Sequence, residues 1–243
     1  MTLTKRFVKM SWGKHNMPIS LSTELRYLGD NLTPVLAHAK RPATIRRILR
    51  AAETIFAERG LAGARTTAIA RAARVNKALL YYYFRDKEDI YRFTVQMVFS
   101  QLRAQVGAAL EGSGPPHRRL RGYVNAYFDF VAEHPTYPRL IQRQLMSHGP
   151  GLGGIVDNYF RPLNDLLMAT IRAGTAAGEF RKVDPRQTAL TLVAMMVFYF
   201  AGAPVLGELW HCDPLKPARL VARRAAVLDF LEHGLFTGFR RTR

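Results

Sequence analysis

Hydrophobic positions between residues 44 and 110 recur every three or four residues, the spacing of helices that bury one face. Ile45, Ile48, Leu49, Ala52, Ile55 and Phe56 form the first stripe, with Thr44 as its expected N-cap and Gly60 as its stop after Arg59. A short second stripe holds Ile69, Ala70 and Ala73. The third opens at Val75 and sets Leu80 and Phe84 four residues apart on one side. Asp86 is the expected N-cap of a fourth helix, with Lys87, Glu88 and Asp89 in its first turn. That helix is predicted to run to about Leu110, before Gly112, Gly114 and two prolines.

Beyond this point the pattern predicts helices at about 116–134, 136–147, 155–177, 185–209 and 217–235. Asp184-Pro185-Arg186-Gln187 is a strong start signal, combining an acidic cap, proline at the first helical position and glutamine two residues later. His134-Pro135 and the run Gly149-Pro150-Gly151-Leu152-Gly153-Gly154 mark breaks. Few stretches alternate with period two, so the fold class is all-α. Residues 1–41 lack sustained periodicity and are interrupted by Gly13, Pro18, Gly29 and Pro34. They read as a flexible basic arm, with an ordered unit at 42–90 and a second at 91–243.

Charge sharpens this picture. The chain has 243 residues, 48% of them hydrophobic, and a formal net charge of +18. Such an excess favours a polyanionic partner, either nucleic acid or an anionic membrane surface. It is densest early: residues 42–90 alone hold ten basic and five acidic side chains. The single cysteine, Cys212, excludes an intramolecular disulfide and fits a reducing cytoplasm. No apolar segment followed by small residues marks the N-terminus for secretion. Thr188 to Gly207 is uncharged and about long enough to span a membrane, but it contains Thr191, Gly202 and Pro204. A helix buried in a dimer interface accounts for it better, and no membrane is expected as partner.

Three short arginine-rich helices joined by tight turns suggest a helix-turn-helix centred on residues 66–84, whose last helix enters the major groove end-on. The tip of that helix needs small or polar residues. Asn76 supplies a cap, Lys77 a cation and Ala78 a side chain short enough for close approach. On a helical wheel Ala78, Tyr81 and Tyr82 lie away from the Leu80–Phe84 side, and Tyr83 is expected to be partly buried. Arg46, Arg47 and Arg50 either reach phosphates or form the wet face of the first helix, with nothing in the sequence to choose between them.

The match to a known family is carried by Ile48-Leu49-Arg50-Ala51-Ala52, Phe56-Ala57-Glu58-Arg59-Gly60, Ile69-Ala70, Val75 through Phe84, and Lys87-Glu88. Over roughly residues 44–92 the chain resembles the tetracycline-repressor (TetR) family. The resemblance implies a DNA-binding domain at 42–90 and a ligand-binding and dimerisation domain at 91–243. It implies a homodimeric regulator, expected to be a repressor, that binds a palindromic operator and is released by a small-molecule effector. Thr66, Asn76, Lys77, Ala78, Leu79, Tyr81, Tyr82, Tyr83 and Lys87 match the family's DNA-contacting positions. Two departures stand out. Arg74 replaces the usual turn glycine, and Ala64-Arg65 replaces a common capping Ser or Thr, so the second helix is expected either to be capped by Thr66 or to begin less sharply.

The same resemblance places the last two long helices in a four-helix bundle with their symmetry mates, using Leu190, Val193, Val197, Leu220, Val227, Leu228 and Leu231. Tyr123, Tyr127, Phe130, Asn164 and Met168, with Asn125 and Asp165 nearby, are candidates for a mostly apolar effector pocket. Their aromatic character points to an apolar or aromatic effector. No cofactor is expected. Catalysis finds little support: His211-Cys212-Asp213 lacks partners for a metal, and Gly149–Gly154 lacks the lysine and Ser/Thr of a phosphate loop. The rival reading is a basic protein that coats nucleic acid or a membrane surface by charge alone.

Overall fold

A computed structural model describes residues 42–146 and 152–237; the basic arm at 1–41 lies outside the described residues. The described chain is helical, in the order α1 (Pro42–Gly63), α2 (Thr66–Ala72), α3 (Lys77–Tyr83), α4 (Lys87–Glu111), α5 (Pro116–Glu133) and α6 (Tyr137–Met146). There follow α7 (Leu152–Ile155), a π-helical turn (Val156–Phe160), α8 (Arg161–Ala176), α9 (Pro185–Ala201), α10 (Ala203–Trp210) and α11 (Pro217–Gly234). The only extended pairing among the described residues is an isolated bridge between Phe180 and Phe236. The all-α expectation holds.

Several boundaries follow the local chemistry. Asp86 and Asp184 cap α4 and α9 by accepting from the backbone N–H of Asp89 (2.7 Å) and Gln187 (2.9 Å). At Gly60 the backbone leaves helical geometry (φ 66°, ψ 178°), and α1 kinks there before a final turn. Thr44 is not the cap expected of it. Proline suits the first position of a helix, α1 already begins at Pro42, and Thr44 is buried in its first turn.

Two long helices expected from the sequence are each broken. The segment 155–177 begins earlier, at Leu152, and passes through the π turn before α8. The segment 185–209 divides at Gly202 into α9 and α10, which are bent by 69°. Pro204 explains the second break, because it lacks the N–H that would continue the ladder. Among the described residues no single helix is long and apolar enough to cross a membrane, and only this bent pair passes on length and composition.

One apolar core runs from Ile45 to Phe236. In its first part Ile45, Ile48, Leu49 and Phe56 of α1 meet Ile69, Ala73, Leu80 and Phe84. Helix α4 packs on α1 at one end and along α5 for much of its length, while α8, α9 and α11 complete the body. Helix α6 lies against both α1 and α9.

Of the side chains expected on the bundle surface, several are covered within the monomer itself. Val227 and Leu231 are buried inside their own subunit, and Val193, Val197, Leu220 and Leu228 are half-buried. Leu190 does face out, at 62% exposure, but its company is Phe198 (70%), Val205, Leu209, Val221 (67%) and Phe230. Apolar residues lie on both sides of α9, and α11 exposes Val221 and Phe230 while burying Val227 and Leu231, so periodicity alone could not tell which side serves the monomer.

Candidate nucleic-acid interface

The unit that presents α3 is held from behind. Leu80 and Phe84 are fully buried, and the Phe84 ring packs against Phe93 of α4 at 5.8 Å. Asn76 caps α3 through its side-chain oxygen, which accepts from the Leu79 N–H at 2.7 Å. A seven-residue helix is too short to persist alone, so this cap and the buried side carry it.

The turn before α3 is unusual. Arg74 adopts a left-handed backbone (φ 53°), the conformation for which a glycine is ordinarily used. Neighbouring contacts hold it there. The Val75 N–H donates to the Ala70 carbonyl at 2.9 Å, and Arg47 Nε of α1 donates to the Ala73 carbonyl at 2.7 Å. Arg47 therefore ties α1 to the turn, and Arg50 stays on the exposed face of α1. Helix α2 begins at Thr66 after Arg65 with no side-chain cap, so the less sharp of the two expected starts is observed.

The outward side of α3 gathers most of the residues singled out from the sequence. Asn76, Lys77, Ala78, Tyr81 and Tyr82 are exposed, Tyr82 at 70%. Leu79 and Tyr83 are half-buried, and the Tyr83 ring stands edge-on to Tyr82 at 5.0 Å. The Thr66 and Tyr81 hydroxyls pair at 3.3 Å, and Lys77 Nζ lies 5.7 Å from the centre of the Tyr81 ring. Lys87 is drawn back toward α1, where its Nζ donates to the Ala62 carbonyl at 3.4 Å. Hydroxyls, an ammonium and aromatic edges thus share one surface, a set suited to phosphate and base edges.

Sequence reasoning missed the group that fastens this surface to α4. The Asp89 carboxylate is buried and accepts from the Arg85 backbone N–H (3.2 Å), from Arg85 Nη2 (3.4 Å) and from Arg92. Burial pushes its pKa up, but the hydrogen bonds from Arg92 and Arg85 outweigh that and hold it below the usual carboxylate value. The acid-rich first turn of α4 accounted for Asp89 as a dipole partner, which hid its second role.

The effector candidates are divided. Tyr123, Tyr127 and Phe130 of α5 are buried in the body, Met168 is half-buried, and Asn164 and Asp165 face outward from α8. The structure therefore does not bring Asn164 to the aromatic group. It adds Tyr137, whose hydroxyl accepts from Tyr127 at 3.5 Å and whose ring lies 5.2 Å from Phe130. Burial raises the pKa of all three tyrosines well above the ordinary phenol value, and lifts that of nearby Tyr159 to about 12. These hydroxyls are neutral hydrogen-bonding groups at physiological pH.

Comparison with known proteins agrees with this geometry. Residues 48–92 match the family model described as bacterial regulatory proteins, tetR family, and residues 116–231 match the tetracyclin repressor-like C-terminal domain. The HTH-type transcriptional regulator HbdR of Aromatoleum sp. (strain CIB) is 30% identical over 189 residues, covering 78% of this chain and 76% of HbdR. The HTH-type transcriptional repressor NicS of Pseudomonas putida is 24% identical, over 63% of this chain and 73% of its own. Among solved structures, the fatty acid degradation regulator FadR from Bacillus halodurans superposes with a TM-score of 0.65 at 21% identity. That match covers 84% of this chain and all of FadR. FadR from Bacillus subtilis, solved in complex with stearoyl-CoA, gives 0.63 at 19% identity over 80% and 99% of the two chains. With its helix-turn-helix and helical body matched in one order along one chain, this protein belongs to the TetR family and is a DNA-binding transcriptional regulator, not an enzyme.

Proposed function

We propose that the protein is a cytoplasmic repressor that binds a palindromic operator as a homodimer and is released by an apolar or aromatic small molecule. On this reading residues 42–90 form the DNA-binding domain and 91–243 the ligand-binding and dimerisation domain. The observation that carries it is the division of α3, with Leu80 and the adjoining Phe84 wholly buried while Lys77, Ala78 and Tyr82 face outward. Thr66, Asn76, Leu79, Tyr81, Tyr83 and Lys87 surround that outward side and are proposed to share the contacts to DNA. Two half-sites need two copies, and the exposed apolar side chains of α9 and α11 offer a surface for the second.

The effector is proposed to enter among Tyr123, Tyr127, Phe130 and Met168, a neutral aromatic lining with few polar anchors. Bacillus subtilis FadR, a structural neighbour, was solved in complex with stearoyl-CoA, a molecule with a long apolar part, and this supports the reading. Release follows if the effector favours a body in which the two α3 helices are wrongly spaced.

Selection of bound fragments from random DNA tests the reading. A paired, inverted site that survives excess competitor DNA is the expected result. Binding that shows steep salt dependence and no sequence preference would instead establish the charge-only alternative, for which the net charge of +18 is the one argument.

A further inference from the structure

Besides packing along α5, helix α4 meets α8 and the π turn. Gln96, Phe99, Arg103 and Gly107 recur along it at three- and four-residue steps and so share one side. Phe99 fixes where that side looks. Its ring lies 6.5 Å from Tyr159 and 5.1 Å from Phe160 of the π turn, and 6.1 Å from Tyr137 of the buried tyrosine group. A single π turn is a rare local widening of a helix, frequent at functional sites.

Three features of this side do not belong to a plain apolar core. Arg103 is half-buried on it, and its charge acts on Tyr159, whose hydroxyl burial nonetheless keeps neutral. Gln96 carries a buried side-chain oxygen that accepts no hydrogen bond among the described residues, a costly arrangement until a donor arrives. Gly107 is itself buried, yet a Cβ there would meet no described atom within 4 Å. Room therefore adjoins Arg103, which stands one turn away on the same side.

We propose that the effector is an organic acid, its carboxylate held by Arg103 and its apolar part lying against Phe99, Tyr137 and Tyr159. The inference rests on the small-molecule reading above and deepens it by giving the effector a charge. A guanidinium presents its N–H donors in a planar fork, and a carboxylate fits two of them side by side. One cation balances one negative charge, whereas a phosphate dianion would carry a second charge into the body uncompensated. Arg161, at the end of the π turn, does not supply that balance, being exposed and ion-paired with Asp157 at 2.8 Å. Gln96 stands two turns before Arg103, about 10 Å along the axis, and accepts from a hydroxyl at the other end of the molecule.

Calorimetric titration of the full-length chain tests this with benzoate, 4-phenylbutyrate and octanoate, each beside its primary amide, which has nearly the same shape and no charge. At least one acid is expected to bind about tenfold or more tighter than its amide. Arg103→Gln should bring that acid to within about threefold of the amide, while unchanged affinity for the amide shows that the variant is folded. Arg103→Lys, which keeps the charge without the fork, should retain part of the preference. A terminal hydroxyl on the preferred acid should add affinity in wild type and none in Gln96→Leu. Acids that bind no better than their amides, or an Arg103→Gln chain that keeps the preference, would overturn the inference; amides that bind would still leave the small-molecule reading standing. A chain that binds neither set of compounds would sink the inference together with the effector site among the tyrosines.

Discussion

At position 74 the chain keeps an arginine where the backbone is left-handed, at a steric cost on the order of 1 kcal/mol. Arg74→Gly is therefore expected to raise the unfolding free energy by up to about 1 kcal/mol, measured by denaturant titration. Asp89 makes a different argument. Its carboxyl is depressed in the folded chain, so the stability it contributes is fully present above the unfolded value of about 3.9 and is lost as pH falls through the lower folded value. Asp89→Asn should cost about 1–2 kcal/mol at neutral pH, the arginine partners being partly exposed, and should flatten the acid limb of the stability curve below pH 5. Equal acid limbs for variant and wild type would remove Asp89 from this role. The left-handed turn was legible from the sequence because a family pattern marks the position; the Asp89 hub was not, because its partners are recognised only in three dimensions.

At the scale of helices, the broad pattern was legible and the division of faces was not. Caps such as Asp86 and Asp184 act within four residues of themselves, so they announce helix starts wherever the helix later packs. A helix with apolar residues all round gives no such announcement. For α9, and for α11, whose exposed Val221 and Phe230 lie apart from buried Val227 and Leu231, the division of faces has a measurable consequence. Val221→Asp or, on α9, Phe198→Asp should convert the proposed dimer to monomer by light scattering with the helical content retained. Leu231→Ala, which opens a hole in the monomer core, should instead lower stability by about 2–4 kcal/mol without changing the mass. A dimer that survives both aspartates would place the interface elsewhere.

For the whole molecule, recognition and association are proposed to be separable in their parts and joined in their effect. Tyr82→Ala and Lys87→Ala should each weaken binding to a selected operator by about tenfold, within the range expected for a lost contact to phosphate or base. Size measurements should find both variants still dimeric. Normal affinity in both would refute the proposed docking of α3. The net charge of +18 brings the protein to DNA, but a charge excess has no direction; orientation has to come from the rigid attachment of α3 to α1, α4 and the body.

By itself the sequence determined the all-α class, the order of the helices and the reading unit, because caps, breaks and three-to-four-residue spacing act between close neighbours along the chain. It also marked the outward tyrosines and lysine of α3, since one buried side of a seven-residue helix leaves little choice for the other. Only the tertiary structure decided which faces of α9 and α11 remain uncovered, that Asn164 stands apart from the aromatic group, and that Arg143 meets the end of α1. Those outcomes depend on residues far apart in the chain, 86 positions for Ala57 and Arg143, and the contact between them exists only once packing has brought two helices together.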